Sequence, residues 1–177
     1  YSKAMKLLKK VKKSALYENY QYPERINHNL GLAYEKSKKN GLAKKYYKSA
    51  LQFNPVYYLT LMRLGELYRR TGKIKTSMKY FYKAKASCGV CYDPIKALSH
   101  NYVALGKGSK AVPLVKSFLK TKDLSPLNRQ KAAKLLRYTK KNTKHKRTVR
   151  RKKKNYPAHK NLSSWTGLGL LASHWPS

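Results

Sequence analysis

The chain is short of acid. Only 6 of its 177 residues are Asp or Glu, against 42 Lys or Arg, which gives a formal net charge of +36 at pH 7. It is also short of cysteine (two) and of tryptophan and phenylalanine (two and three). Two cysteines cannot staple a small disulfide scaffold. The six carboxylates are scattered at 18, 24, 35, 66, 93 and 123, with no close pair on one helix face for general acid–base work. The five histidines (28, 100, 145, 159 and 174) fall on different elements, so no nucleophile–base or metal-ligand set emerges. Strand patterning is absent, and with it any strand that could precede a Gly-rich phosphate loop. No apolar run approaches the roughly 20 residues of a membrane-crossing helix. Met is missing from position 1; Tyr1 points to a processed or trimmed start, with any targeting signal on the removed part. Neither catalysis nor a cofactor is expected.

What remains is enough for one domain with tails. Hydrophobic residues make up 41% of the chain, which can bury a core. The charge is spread unevenly. Residues 1–23 carry six Lys against one Glu, residues 24–123 carry 21 basic and 5 acidic residues, and residues 139–160 carry eleven basic residues and no acid. The last of these includes Lys144, Lys146, Arg147, Arg150, Arg151, Lys152, Lys153 and Lys154. It reads as a disordered basic tail, either merely solvated or holding nucleic acid or an anionic membrane surface electrostatically. Lys outnumbers Arg in the body, so base-specific readout is not expected. Residues 161–177 change character, with Trp165 and a Gly167–Leu171 stretch; a docking segment, an interface anchor and non-native sequence all fit it.

A period of 34 runs through the middle of the chain. Gly31 and Gly65 are 34 apart, as are Ala50 and Ala84, and Gly72 and Gly106. Tyr34, Tyr68 and Tyr102 keep the same step, and so do Ala43, Ser77 and Ala111, and Tyr47, Phe81 and Val115. Within a unit, Asn27, Leu30, Gly31 and Tyr34 form one helical stripe and Ala43, Tyr47 and Ala50 another, with Pro55 as the stop. The small residues let paired helices approach closely, and the aromatic rings fill the space between them. Asn40-Gly41, Thr71-Gly72 and Leu105-Gly106 are expected to make the turns inside each pair.

Leu30-Gly31, Tyr34, Ala43, Tyr47, Ala50 and Pro55, repeated as Leu64-Gly65, Tyr68, Ser77, Phe81 and Ala84, resemble the tetratricopeptide repeat. Leu98, Tyr102, Ala111 and Val115 make a weaker third unit, whose Ser99 and Phe118 are expected to widen its packing slightly. The resemblance covers about 100 residues, as units 24–57, 58–91 and 92–125. It implies an all-α, right-handed superhelical solenoid of antiparallel helix pairs. Residues 1–23 are expected to add a partial repeat or cap, whose helix packs through Ala4, Leu8 and Val11. Residues 126–140 are expected to form a capping helix started by Ser125 and Pro126, covering the stack with Leu127, Ala132, Leu135 and Leu136. The disordered tail then begins at 141.

The resemblance also implies a concave groove lined by the first helix of each pair. Its columns hold Arg25, His28, Leu32, Glu35 and Lys36, then Leu59, Met62, Glu66, Arg69 and Arg70, then Asp93, Lys96, His100, Val103 and Ala104. This mixture suits a protein partner offering a peptide or helix with some acidic side chains. The family's carboxylate clamp for chaperone tails is not expected, since Leu32 stands where the clamp wants Asn. Cys88 and Cys91 fall between the second and third units, where a local disulfide, free core thiols and a metal or redox pair all remain open. The cysteine pair and the few repeats also look like the pilotins of bacterial type IV pilus assembly, which would place the chain in a cell envelope. The expectation is thus a protein-binding scaffold, with a tail-mediated nucleic-acid or ribonucleoprotein binder as the alternative.

Overall fold

The computed structural model describes residues 1–14, 17 and 19–155, with 144–155 as helix backbone. Among these residues there are eight helices and no strand: α1 (Ser2–Lys13), α2 (Pro23–Lys36), α3 (Asn40–Phe53), α4 (Tyr58–Arg70), α5 (Ile74–Ser87), α6 (Tyr92–Ala104), α7 (Gly108–Leu119) and α8 (Pro126–Asn155). Helices α2–α3, α4–α5 and α6–α7 are antiparallel pairs stacked one on the next, with α1 laid against α2 and α8 against α6 and α7. This is the all-α solenoid the repeat implies.

The glycine–aromatic columns explain why the pairs close. A Cβ on Gly31 would stand 2.5 Å from Cδ1 of Tyr47, and one on Gly65 would run into the ring of Phe81. Only hydrogen at those positions lets each ring lie flat on the facing helix. In the third pair the volumes are exchanged: Ser99 takes the glycine column and Val115 the ring column, and both are fully buried, with Phe118 buried beside them. The larger residues at 99 and 118 are absorbed against the smaller Val115, and neither turns out to solvent. The tyrosine column behaves alike in the first two units, where Tyr34 stacks on Tyr46 and Tyr68 on Tyr80, centroids 5.2 and 5.4 Å apart. Position 114 is Leu, so Tyr102 hydrogen-bonds to the Tyr82 hydroxyl instead.

Each pair turns through the same backbone motif. The amides of Lys39, Lys73 and Lys107 donate to the carbonyls of Tyr34, Tyr68 and Tyr102, and those of Lys38, Gly72 and Gly106 to Glu35, Arg69 and Val103. This capping geometry puts one residue in the left-handed region. Gly72 and Gly106 occupy it at φ 74°, but the first unit uses Lys38, at φ 60°. Gly41, expected to make that turn, lies instead in the first turn of α3. The 34-residue column, not the nearest glycine, decides where the turn falls.

The flanks differ more from expectation. Helix α1 buries none of its residues; Ala4 and Val11 face solvent, and it docks through Met5 on the Tyr34–Tyr47 cluster. Lys12 holds it down by donating to Asn27 Oδ1 at 2.8 Å and lying over the rings of Tyr17 and Tyr46. At the other end Ser125 Oγ accepts from the Asn128 amide at 3.3 Å, an N-cap bond. Ala132, Leu135 and Thr139 are buried and Leu136 packs beside them, while Leu127 is 58% exposed and covers nothing. Helix α8 continues to Asn155, so 141–155 is helix where a disordered tail was expected. Lys and Arg are good helix formers, and no Gly or Pro interrupts the run before Pro157. The segment 161–177 lies outside the described residues.

Candidate functional site

The first helices of the pairs, α2, α4 and α6, form one face of the stack, and a cleft of about 390 Å³ opens between α4 and α6. Its apolar part is Tyr58, Leu59, Met62 and Ala97; its charged part is Arg63, Arg69 and Lys96 with Glu66 and Asp93, and His100 completes the lining. Leu59 is an exposed leucine at 52%, which leaves an apolar surface open to a partner. Glu66 accepts from Nη2 of Arg69 at 2.7 Å and from its Nε at 3.0 Å. Among the described residues no ion pair engages Arg63, Lys96 or Asp93. The cleft therefore offers two cations and one carboxylate to an incoming chain.

His100 sits where the cleft meets α8, its ring 5.2 Å from that of Tyr138. Burial lowers its pKa, Lys96 and Arg69 lower it further, and Glu66 opposes them. The ring is accordingly neutral at pH 7 and can both donate and accept a hydrogen bond.

Of the residues expected in the groove, Leu59, Met62, Glu66, Arg69, Asp93, Lys96 and His100 come together here. The others do not line the cleft. His28 is only 7% exposed, with Nδ1 2.8 Å from the Thr60 hydroxyl and its ring between Tyr47 and Tyr57. It pins α2 to α4 and is no groove contact. Burial, with Arg63 nearby, lowers its pKa to about 4, against a weaker opposing pull from Glu35. Arg70 is paired with Glu35 of the preceding unit, Arg25 lies over the ring of Tyr22 at 4.3 Å, and Leu32 is half-buried on α2 away from the cleft. Tyr58, Arg63 and Ala97 line the cleft without having been expected. Arg63 and Ala97 are 34 apart, so a further column of the repeat faces the partner side.

Cys88 and Cys91 are bonded to each other, Cα atoms 5.4 Å apart, at the end of α5 and the start of α6. The loop between them is tied to α8 through the Val90 carbonyl, which accepts from Asn128 Nδ2 at 3.1 Å. Of the basic segment, Lys144, Arg147, Arg150, Arg151, Lys152, Lys153 and Lys154 all lie on the backbone of α8. Among the described residues no three His, Cys, Asp or Glu side chains converge as a metal site would require.

The helix pairs and the open face between α4 and α6 define a helical-repeat binding protein. The tetratricopeptide-repeat family matches at residues 24–57 and 59–87, so the first two helix pairs are tetratricopeptide repeats. No curated protein sequence matches it. Among solved structures, MamA from AMB-1 is similar at 20% identity over 68% of this chain and 63% of that one, TM-score 0.54. MamA from MSR-1 is similar at 17% identity over 82% and 88% of the two chains, also at 0.54. A kinesin light chain of Podosopora anserina with nearly identical TPR-like repeats gives 14% identity over 85% and 82%, TM-score 0.62. The chain spans under two thirds of the length of the AMB-1 protein. At these identities the likeness concerns the fold.

Proposed function

We propose that this chain is a non-enzymatic adaptor that holds a segment of a partner protein in the α4–α6 cleft. The observation that carries this reading is the combination of an apolar strip, the exposed Leu59 and the half-buried Met62, with Arg63 and Lys96 standing in no ion pair beside it among the described residues. Such a site favours a short helix or extended peptide with an apolar anchor next to an acidic residue. The anchor supplies most of the affinity, and the acid raises the on-rate and fixes direction. The disulfide-tied loop and the repeats do not by themselves support a role in pilus assembly, and none is proposed.

Selection of a random peptide display library on the full chain tests the reading. Enriched peptides should pair Leu, Met or Phe with Asp or Glu, and Met62→Ser with Arg63→Glu should cut their retention at least tenfold. Enrichment of basic peptides, or retention indifferent to both substitutions, would overturn it.

A further inference from the structure

The solenoid has two edges. One is made by the turns inside each helix pair and the other by the turns between pairs. At the first edge a single column of the repeat is lysine throughout: Lys39, Lys73 and Lys107 stand 34 apart, each exposed, each at the same position of the same turn. Lys38, Lys75 and Lys110 stand beside them, also exposed. None of the six is in an ion pair among the described residues. Glu35 and Glu66, on the helices that lead into the first two of these turns, are already held by Arg70 and Arg69.

Helix α8 adds a second feature. It starts at the opposite edge and crosses the α6–α7 pair, so that Thr143 reaches Gly108 at the start of α7: a Cβ on Gly108 would be 2.9 Å from Thr143 Oγ1. Thr143 is thus level with the lysine edge, and α8 continues to Asn155. At 1.5 Å per residue its last stretch extends about 18 Å past the edge. That stretch is the most basic in the sequence and contains no acid.

We infer that the lysine column and the projecting end of α8 together form a track for the phosphodiester backbone of a nucleic acid. Lysine supplies mobile point charges without the planar fork that reads bases, so the contact is independent of sequence. A flat anionic bilayer fits less well. A plane laid on the edge would be pierced by α8, and Tyr22, Val56 and Val90, the exposed apolar column suited to a membrane interface, lies on the opposite edge. A flexible or grooved polyanion can follow both the edge and the helix. This surface is separate from the α4–α6 cleft and stands or falls independently of it.

Fluorescence anisotropy of a labelled mixed-sequence 20-mer RNA, titrated with the full chain between 50 and 200 mM salt, tests the assignment. The triple variant K39Q/K73Q/K107Q should weaken binding at least tenfold at low salt and flatten the log–log salt slope by about 2. The variant K83Q/K120Q/K122Q removes equal charge from exposed positions elsewhere and should stay within about threefold of the parent. Equal losses in both variants would show attraction by net charge alone and overturn the track. So would absence of RNA binding, or loss in the first variant of binding to phosphatidylserine vesicles but not to RNA.

Discussion

The Tyr47 hydroxyl donates to Glu35 Oε2 at 2.6 Å, across the α2–α3 pair, while the other oxygen of the same carboxylate takes Arg70 from the next unit. One mostly buried carboxylate thus closes a helix pair and joins it to its neighbour.

Glu35→Ala removes both contacts and leaves the Tyr47 hydroxyl without its acceptor. Because Arg70 is half exposed, the ion-pair part is discounted, and the expected loss is about 1–2 kcal/mol, read from urea unfolding. Tyr47 also titrates above its ordinary value of 10.0, first because it is buried and then because Glu35 holds the proton. A raised phenol contributes stability below the unfolded pKa and loses it above. Unfolding free energy should therefore decline above about pH 10, and Tyr47→Phe should reduce that decline.

Gly65→Ala places a methyl group against the Phe81 ring and should cost about 1–3 kcal/mol. Combining Gly65→Ser with Phe81→Val copies the exchange at Ser99 and Val115, and should cost less than the sum of the two single changes. A strictly additive double-mutant cycle would contradict this account of the packing.

Lys38 occupies a left-handed conformation that a side chain strains, whereas Gly41 sits in a helix with nothing within 4 Å of an added Cβ. Lys38→Gly should raise stability by about 1 kcal/mol net, since the relieved strain exceeds the added chain entropy. Gly41→Ala should raise it by about 0.5–1 kcal/mol, read from the shift in denaturant midpoint.

His28 is buried and its pKa is about 4, below the ordinary 6.5. A depressed value means that the unfolded chain takes up the proton first as pH falls. The stabilisation is complete above about pH 6.5 and is lost on the way down to about pH 4, with a slope approaching about 1.4 kcal/mol per pH unit. His28→Asn should lower stability at pH 7 but flatten that acid limb, as thermal melts across pH 4–7 would report.

Residue spacing alone established the helix pairs, their number and their core, because a 34-residue step that sets glycine against an aromatic ring has one packing solution. It also established the dominance of positive charge and the scarcity of acid. Three-dimensional packing settled the rest. His28 fell in a groove column yet became a buried pin, since the neighbouring unit supplied Thr60 and Tyr57 to cover it. Arg63 entered the cleft from a column that had no claim on it, because the angle between α4 and α6 decides which side of each helix meets the opening. Lys39, Lys73 and Lys107 were visible as letters at a fixed step, but only the fold puts them on one edge and sends α8 past it, since neither superhelical stacking nor the path of a capping helix is a local property of the chain.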